Sequence, residues 1–368
     1  MSGLSRRLLL GFGIGTFFAR PLFAMSNLKQ FDEAANILTR ATASGQVRAA
    51  VLYARLGKIE FKRAFGEAKS VDSTFLLGSI SKPIAVAALM TLFDQEKFRL
   101  DDTVKKYIPE FTGEFRDRVT VRHLLTHVSG LPDQLPENAI LRTRHAPFSA
   151  FVKGVTAVPL HFEPGTRYEY SSMAIVLAME IAQKISGVEF KEFIDRTVLQ
   201  PLGMQHTAFG MGQLNRNEIM PCQVEFGAVE SGGGSPATRD WDWNSDYWRE
   251  LGAPWGGAHA SASDVGLFLE EFLHPTGRIF SQDVAKLMIR NQNPDGMESR
   301  GLGLDVGMSA SCHMCSDSTF GHTGSTGTIA WADPERDRVC VVLTTLPAGT
   351  MKDHPRQLVS DRIASIVD

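Results

Sequence analysis

The chain has 368 residues, 43% of them hydrophobic and 21% charged, and carries a net charge of -3. That is enough apolar material for a sizeable core and predicts one large unit of two packed parts, with no repeat period. Lys and Arg are scattered and slightly outnumbered by Asp and Glu, which excludes the basic stripe that a nucleic-acid partner requires.

The first 25 residues read as a leader. Ser5, Arg6 and Arg7 precede the apolar stretch from Leu8 to Ala19, and Ala24 suits the end of a cleavage site. This looks like a twin-arginine export signal. The apolar stretch is about a dozen residues, short of the ~20 that cross a bilayer. The expectation is a periplasmic or secreted protein with no stable membrane span once the signal is removed. An uncleaved anchor or a disordered tail is the alternative, because Leu22 fits poorly three residues before the cut.

Beyond the leader, Leu28, Phe31, Ala35 and Leu38 recur at helical spacing, and Gly45 stops that helix. Val47 to Ala54 and Ile59 to Phe65 read as two strands of a hairpin broken at Leu56-Gly57-Lys58. Ile84 to Phe93 is apolar nearly all round, which predicts a helix buried on every side. Thr328 to Ala332 and Val339 to Thr345 flank a breaker-rich turn and read as a second hairpin. Gln357 to Val367 is a closing helix. Strands at both ends with helical, loop-rich sequence between them predict an α/β fold: an antiparallel sheet flanked by helices, with an inserted, mostly helical subdomain. The α/β part covers about 26–100 and 296–368 and the helical part about 101–295, with the site between them.

A serine hydroxyl is a weak nucleophile and needs a nearby base, which a residue three positions later on a helix can supply. Ser79-Ile80-Ser81-Lys82 meets that need at the head of the buried helix, where burial lowers the lysine pKa. The same spacing in Ser26-Asn27-Leu28-Lys29 is taken as chance. Two further stretches carry chemistry: Tyr168-Glu169-Tyr170-Ser171-Ser172 and Phe320-Gly321-His322-Thr323-Gly324-Ser325.

In order and approximate spacing, these three segments resemble the motifs of class C β-lactamases, DD-peptidases and their esterase relatives. The resemblance extends over most of residues 40 to 346 and includes Arg122 to Pro132, Gln200-Pro201-Leu202-Gly203-Met204, and Gly256-Gly257 followed by Asp264. It implies that Ser79 is acylated while Lys82 and Tyr170 handle its proton as one coupled unit, Lys82 supplying the positive charge that a Tyr170 phenolate needs. It also implies an oxyanion hole from the backbone N–H groups of Ser79 and Ser325, and substrate contacts from Ser172, His322, Thr323 and Gly324. Two positions depart from the family pattern. Ser172 stands where an Asn is usual, and His322 stands where many β-lactamases have Lys. An imidazole there predicts a substrate preference that changes with pH.

The expected function is therefore hydrolysis of an ester or an amide through an acyl-enzyme, of the esterase or D-alanyl-peptidase kind, on a small-molecule or peptide substrate of peptidoglycan-like type. A catalytically idle protein that binds such ligands and a β-lactamase are the alternatives. No cofactor and no metal are expected. His123 and His127 have the spacing of a helical ligand pair but lack the Glu of a zincin, and Thr120 as N-cap with Gly130 as stop explains the segment structurally. Cys312 and Cys315 form a local disulfide or remain two thiols. The tryptophans from Trp241 to Trp255 either roof the cleft or pack.

Overall fold

The computed structural model describes residues 19–310, 312–349 and 351–366. Ser5, Arg6, Arg7 and most of the apolar leader lie outside them. The first helix, α1 (Ala19–Ala43), starts well before the expected one and runs without a break past Ala24. Among the described residues no helix is long and apolar enough to cross a membrane.

Among the described residues ten strands form two sheets. The larger joins β1 (Ala49–Leu56), β2 (Ile59–Gly66), β7 (Asp305–Val306), β8 (Phe320–Gly324), β9 (Thr328–Asp333) and β10 (Arg338–Thr344) in the order β2-β1-β10-β9-β8-β7, antiparallel throughout. Both expected hairpins are present, and β1 from the start of the chain pairs with β10 from its end, Ala50 opposite Thr344 through Leu56 opposite Arg338. Strand alternation divides the core into two layers. Val51 and Tyr53 of β1 face the same apolar cluster as Val339, Val341 and Leu343 of β10. The other face of these strands, Leu52, Ala54, Cys340 and Val342, packs with Phe31 and Leu38 of α1 and with Val359 and Ile363 of the last helix.

The smaller sheet, β4 (Ala208–Phe209), β6 (Ala258–Ala260), β3 (Thr74–Leu76) and β5 (Ile219–Met220), was not expected from the sequence. It ties a strand of the first α/β segment to three strands of the inserted one, so the insert is not purely helical. The helix Ala262–Leu273, inside the expected helical part, packs against β1, β9 and β10.

The buried helix α2 (Ser81–Asp94) is as the sequence predicts: every residue from Ser81 to Leu92 is buried. Pro83 is tolerated because the first turn has no intrahelical use for its missing N–H. A second helix, α3 (Ser172–Ser186), packs beside α2, its N-terminus capped by Ser171 Oγ, which accepts from Ala174 N at 3.0 Å. Cys312 and Cys315 are joined in a disulfide with Cα atoms 5.5 Å apart, while Cys222 and Cys340 are buried thiols.

Candidate active site

The nucleophile candidate sits on a tight turn between β3 and α2. Gly78 takes φ +58°, a left-handed conformation that glycine adopts without penalty. Ser81 Oγ donates to Gly78 O at 2.7 Å and accepts from Ala258 N at 3.0 Å, which fixes the turn against β6. On its other side the end of β8 crosses close by. Thr326 Oγ1 donates to Leu76 O at 2.8 Å, and Thr328 Oγ1 donates to Leu77 O at 2.7 Å. A Cβ on Gly324 would fall 2.1 Å from Leu77 O, and one on Gly78 would fall 3.2 Å from Ser325 N. Gly324 thus lets β8 meet the nucleophile turn and brings the exposed Ser325 beside it. Strand β7 pairs only with Phe320 and Gly321, so the stretch His322 to Gly324 is a free edge.

Within this frame Lys82 is fully buried, and its Nζ lies 2.9 Å from Ser79 Oγ and 2.7 Å from the carbonyl of Trp255. The same nitrogen stands 4.7 Å from the centre of the Tyr170 ring. Burial lowers the Lys82 pKa to about 7, with Asp133 acting to raise it and Arg300 to lower it. The neutral amine can then accept the Ser79 proton. The Tyr170 hydroxyl is buried without a regular hydrogen bond, although it is close enough to Ser79 to feel it. Burial raises its pKa well above the usual phenol, against the opposing pull of Arg300. Burial thus favours a neutral amine at Lys82, as the sequence reading expects, and a protonated phenol at Tyr170.

The two departures from the family pattern look different in three dimensions. Ser172 begins α3, is 3% exposed, and its backbone N–H donates to Asp133 Oδ1 at 2.8 Å. His322 is also 3% exposed and does not act as the titrating group expected from the sequence. Its Nδ1 lies 2.7 Å from Thr323 O, which can only accept, so Nδ1 carries the proton and Nε2 accepts from Arg300 at 2.9 Å. Burial, Arg300 and Lys82 hold its pKa well below the usual histidine value. Burial thus opposes the titration on which the expected pH-dependent preference depends. Thr323 is half-buried and Gly324 is buried.

Sequence reasoning missed several neighbours. The short helix capped by Thr120 stops at Leu125 instead of running to Gly130, and His127 takes φ +60°. Its ring therefore leaves the helix and lies 4.5 Å from that of Tyr170, while Nδ1 accepts from Ser171 N at 3.3 Å. Arg300, 1% exposed, has its guanidinium carbon 5.5 Å from the Tyr170 ring centre. Trp255 contributes a carbonyl, and its ring packs against Phe151 and Trp248. Of the two readings for the tryptophans, packing describes Trp241, Trp243, Trp248 and Trp255, all buried. Among the described residues no cluster of His, Cys, Asp and Glu could hold a metal ion. A cavity of about 1220 Å³ bounded by Thr74, Met204, Phe209, Leu214 and Met220 contains none of Ser79, Lys82 and Tyr170 in its wall, so chemistry and not volume marks the site.

A serine beside a desolvated lysine and a phenol, on a turn between two sheets, defines a serine hydrolase of the penicillin-recognising architecture. The family model for beta-lactamases matches residues 34–362, and the chain belongs to that family. It is 22% identical over 379 aligned positions to a putative D-alanyl-D-alanine carboxypeptidase of Escherichia coli K12, covering 90% of this chain and 86% of that one. To the esterase EstB of Burkholderia gladioli it is 28% identical over 320 positions, covering 77% and 80%. Among solved structures it is similar to EstCE1, described as a hydrolase with promiscuous acyltransferase activity, with a TM-score of 0.74 and 21% identity over 93% of this chain and 100% of that one.

The sign of the Lys82 shift makes a prediction. With the neutral amine as base, acylation by a neutral ester should be on its plateau above pH about 7 and fall about tenfold per pH unit below it. A rate profile from pH 5 to 9 measures this; a rate still climbing at pH 9 would show that the amine keeps its charge near neutrality, and a flat profile would show that it is not the base.

Proposed function

We propose that Ser79 is the acylated nucleophile, Lys82 its general base and Tyr170 the proton carrier to the leaving group. The observation that carries this reading is the 2.9 Å contact between Ser79 Oγ and a fully buried Lys82 Nζ. The developing oxyanion would be held by the N–H groups of Ser79 and Ser325, each such donor contributing ~3 kcal/mol in comparable sites. Ser172, His322, Thr323 and Gly324 would shape the cleft around it, His322 through Arg300 and the other three along the substrate. Ser79→Ala should abolish covalent labelling by a fluorophosphonate, read by intact mass, whereas Ser26→Ala should leave it unchanged. Lys82→Ala and Tyr170→Phe should each lower kcat more than about a hundredfold, and the double variant little further, because residues acting as a unit are not additive. Labelling that survives in Ser79→Ala would overturn the assignment.

The substrate we infer is a small ester, with D-alanyl peptides of the peptidoglycan type second. Ser172 offers no side-chain amide to hold an amide substrate's carbonyl, and one of the similar proteins is named an esterase, another a carboxypeptidase. On a panel of p-nitrophenyl esters, D-alanyl peptides and nitrocefin, kcat/KM should be highest for an ester. A higher value for nitrocefin would make the protein a β-lactamase instead.

The leader with Arg6 and Arg7 supports export to the periplasm or beyond. In cell fractionation, replacing both arginines by lysine should leave the protein inside; unchanged export would remove the twin-arginine route.

A further inference from the structure

A guanidinium is costly to desolvate, and a fold that needed only to fill the space beside Tyr170 would do so with an apolar side chain. Arg300 nevertheless lies there at 1% exposure, fixed by its own backbone: its N–H donates to Asn291 Oδ1 at 3.0 Å and its carbonyl accepts from Gln292 N at 2.8 Å. One arm of its guanidinium forms an ion pair with Asp305, the other donates to His322 Nε2 at 2.9 Å, and Nε is buried with no partner. Lys82 and Arg300 both approach the Tyr170 ring, at 4.7 Å and 5.5 Å from its centre. The cation at this place comes from Arg300, 22 residues upstream of His322, and a lysine at 322 would set a second positive charge against it.

We propose that Arg300 is a positioning residue of the active site, whose buried cation faces the Tyr170 ring together with Lys82, adds to burial in disfavouring a second positive charge there, and holds His322 as a neutral strut. The proposal rests on the reading of Ser79 and Lys82 as nucleophile and base. Burial is the main cause that disfavours the charged form of Lys82; among its neighbours Asp133 favours that form and Arg300, the smaller effect, opposes it. His127 and His322 also feel both cations, and burial keeps the two rings neutral. Around Arg300 itself stand Asp305, His322, Tyr168 and Tyr170. Asp305 neutralises the far side of the guanidinium and is not among the groups that move Lys82.

The test is the pH dependence of labelling of Ser79 by a neutral fluorophosphonate ester, which follows the free amine without a turnover step. In the parent the acidic midpoint is expected near about 7. In Arg300→Gln it should rise by about one pH unit, as expected for loss of a nearby like charge, so that labelling at pH 7 drops up to roughly tenfold and recovers above pH about 9. Arg300→Lys, which keeps the charge, should restore the parental midpoint. If Arg300→Gln does not melt cooperatively, the double variant Arg300→Gln/Asp305→Asn removes the orphaned carboxylate and should show the same upward shift. A midpoint that stays in place in the folded neutral variants, with only the plateau lowered, would overturn the proposal and leave Arg300 a packing residue. If the parent is not labelled at Ser79 at all, the nucleophile assignment fails first, and this inference with it.

Discussion

Taking a lysine amine out of water is the condition on which this site depends. The cost of burying the charged form is what brings Lys82 down toward neutrality, and it applies only while water is kept away. That exclusion is provided by α2, apolar on every side, by α3 packed against it, and by the tryptophan-rich segment whose carbonyl at Trp255 gives Nζ a partner. The segments come from remote parts of the chain. Loosening any of them readmits water to Nζ and returns the lysine toward its ordinary charged state.

Charge around the pair is arranged so that few groups change state. Lys82 is the one whose value falls near neutrality, while burial keeps His127 and His322 uncharged and Tyr170 protonated. Arg300 is paired with Asp305 on one side and donates to the neutral imidazole of His322 on the other. The proton exchanged during catalysis thus has a short list of places to go.

The elements legible in the sequence were those written locally. The two hairpins, the all-round apolar run of α2 and the closing helix, observed as Pro355–Ala364, follow from periodicity and breakers within a dozen residues. Ser79, Lys82 and Tyr170 lie together because two of them share one helical turn and the third sits in a motif of its own. What escaped was set by partners far along the chain. The strands β4, β5 and β6 are two or three residues long, too short to carry an alternation, and exist because β3 gives them an edge. Arg300 and Asp133 lie in segments with no periodic signal, and their roles arise from the company they keep. His127 misled in another way: its spacing from His123 suggested one helix face, but the helix ends at Leu125 and a left-handed residue turns the ring into the site.

The pairing of β1 with β10 also bears on when the enzyme comes into being. Residues 50 to 56 find their hydrogen-bonding partners between 338 and 344, nearly three hundred positions away. During synthesis from the N-terminus, β1 has one neighbour, β2, until almost the whole chain has been made. The turn that carries Ser79 has by then waited equally long for Thr326 and Thr328 to close over Leu76 and Leu77. Closing loops of that length is slow in folding, so a growing or truncated chain holds the nucleophile and its base without the strand that completes their pocket. The pocket around Ser79 is therefore complete only once the strands β8 to β10 have been made and have closed over the nucleophile turn.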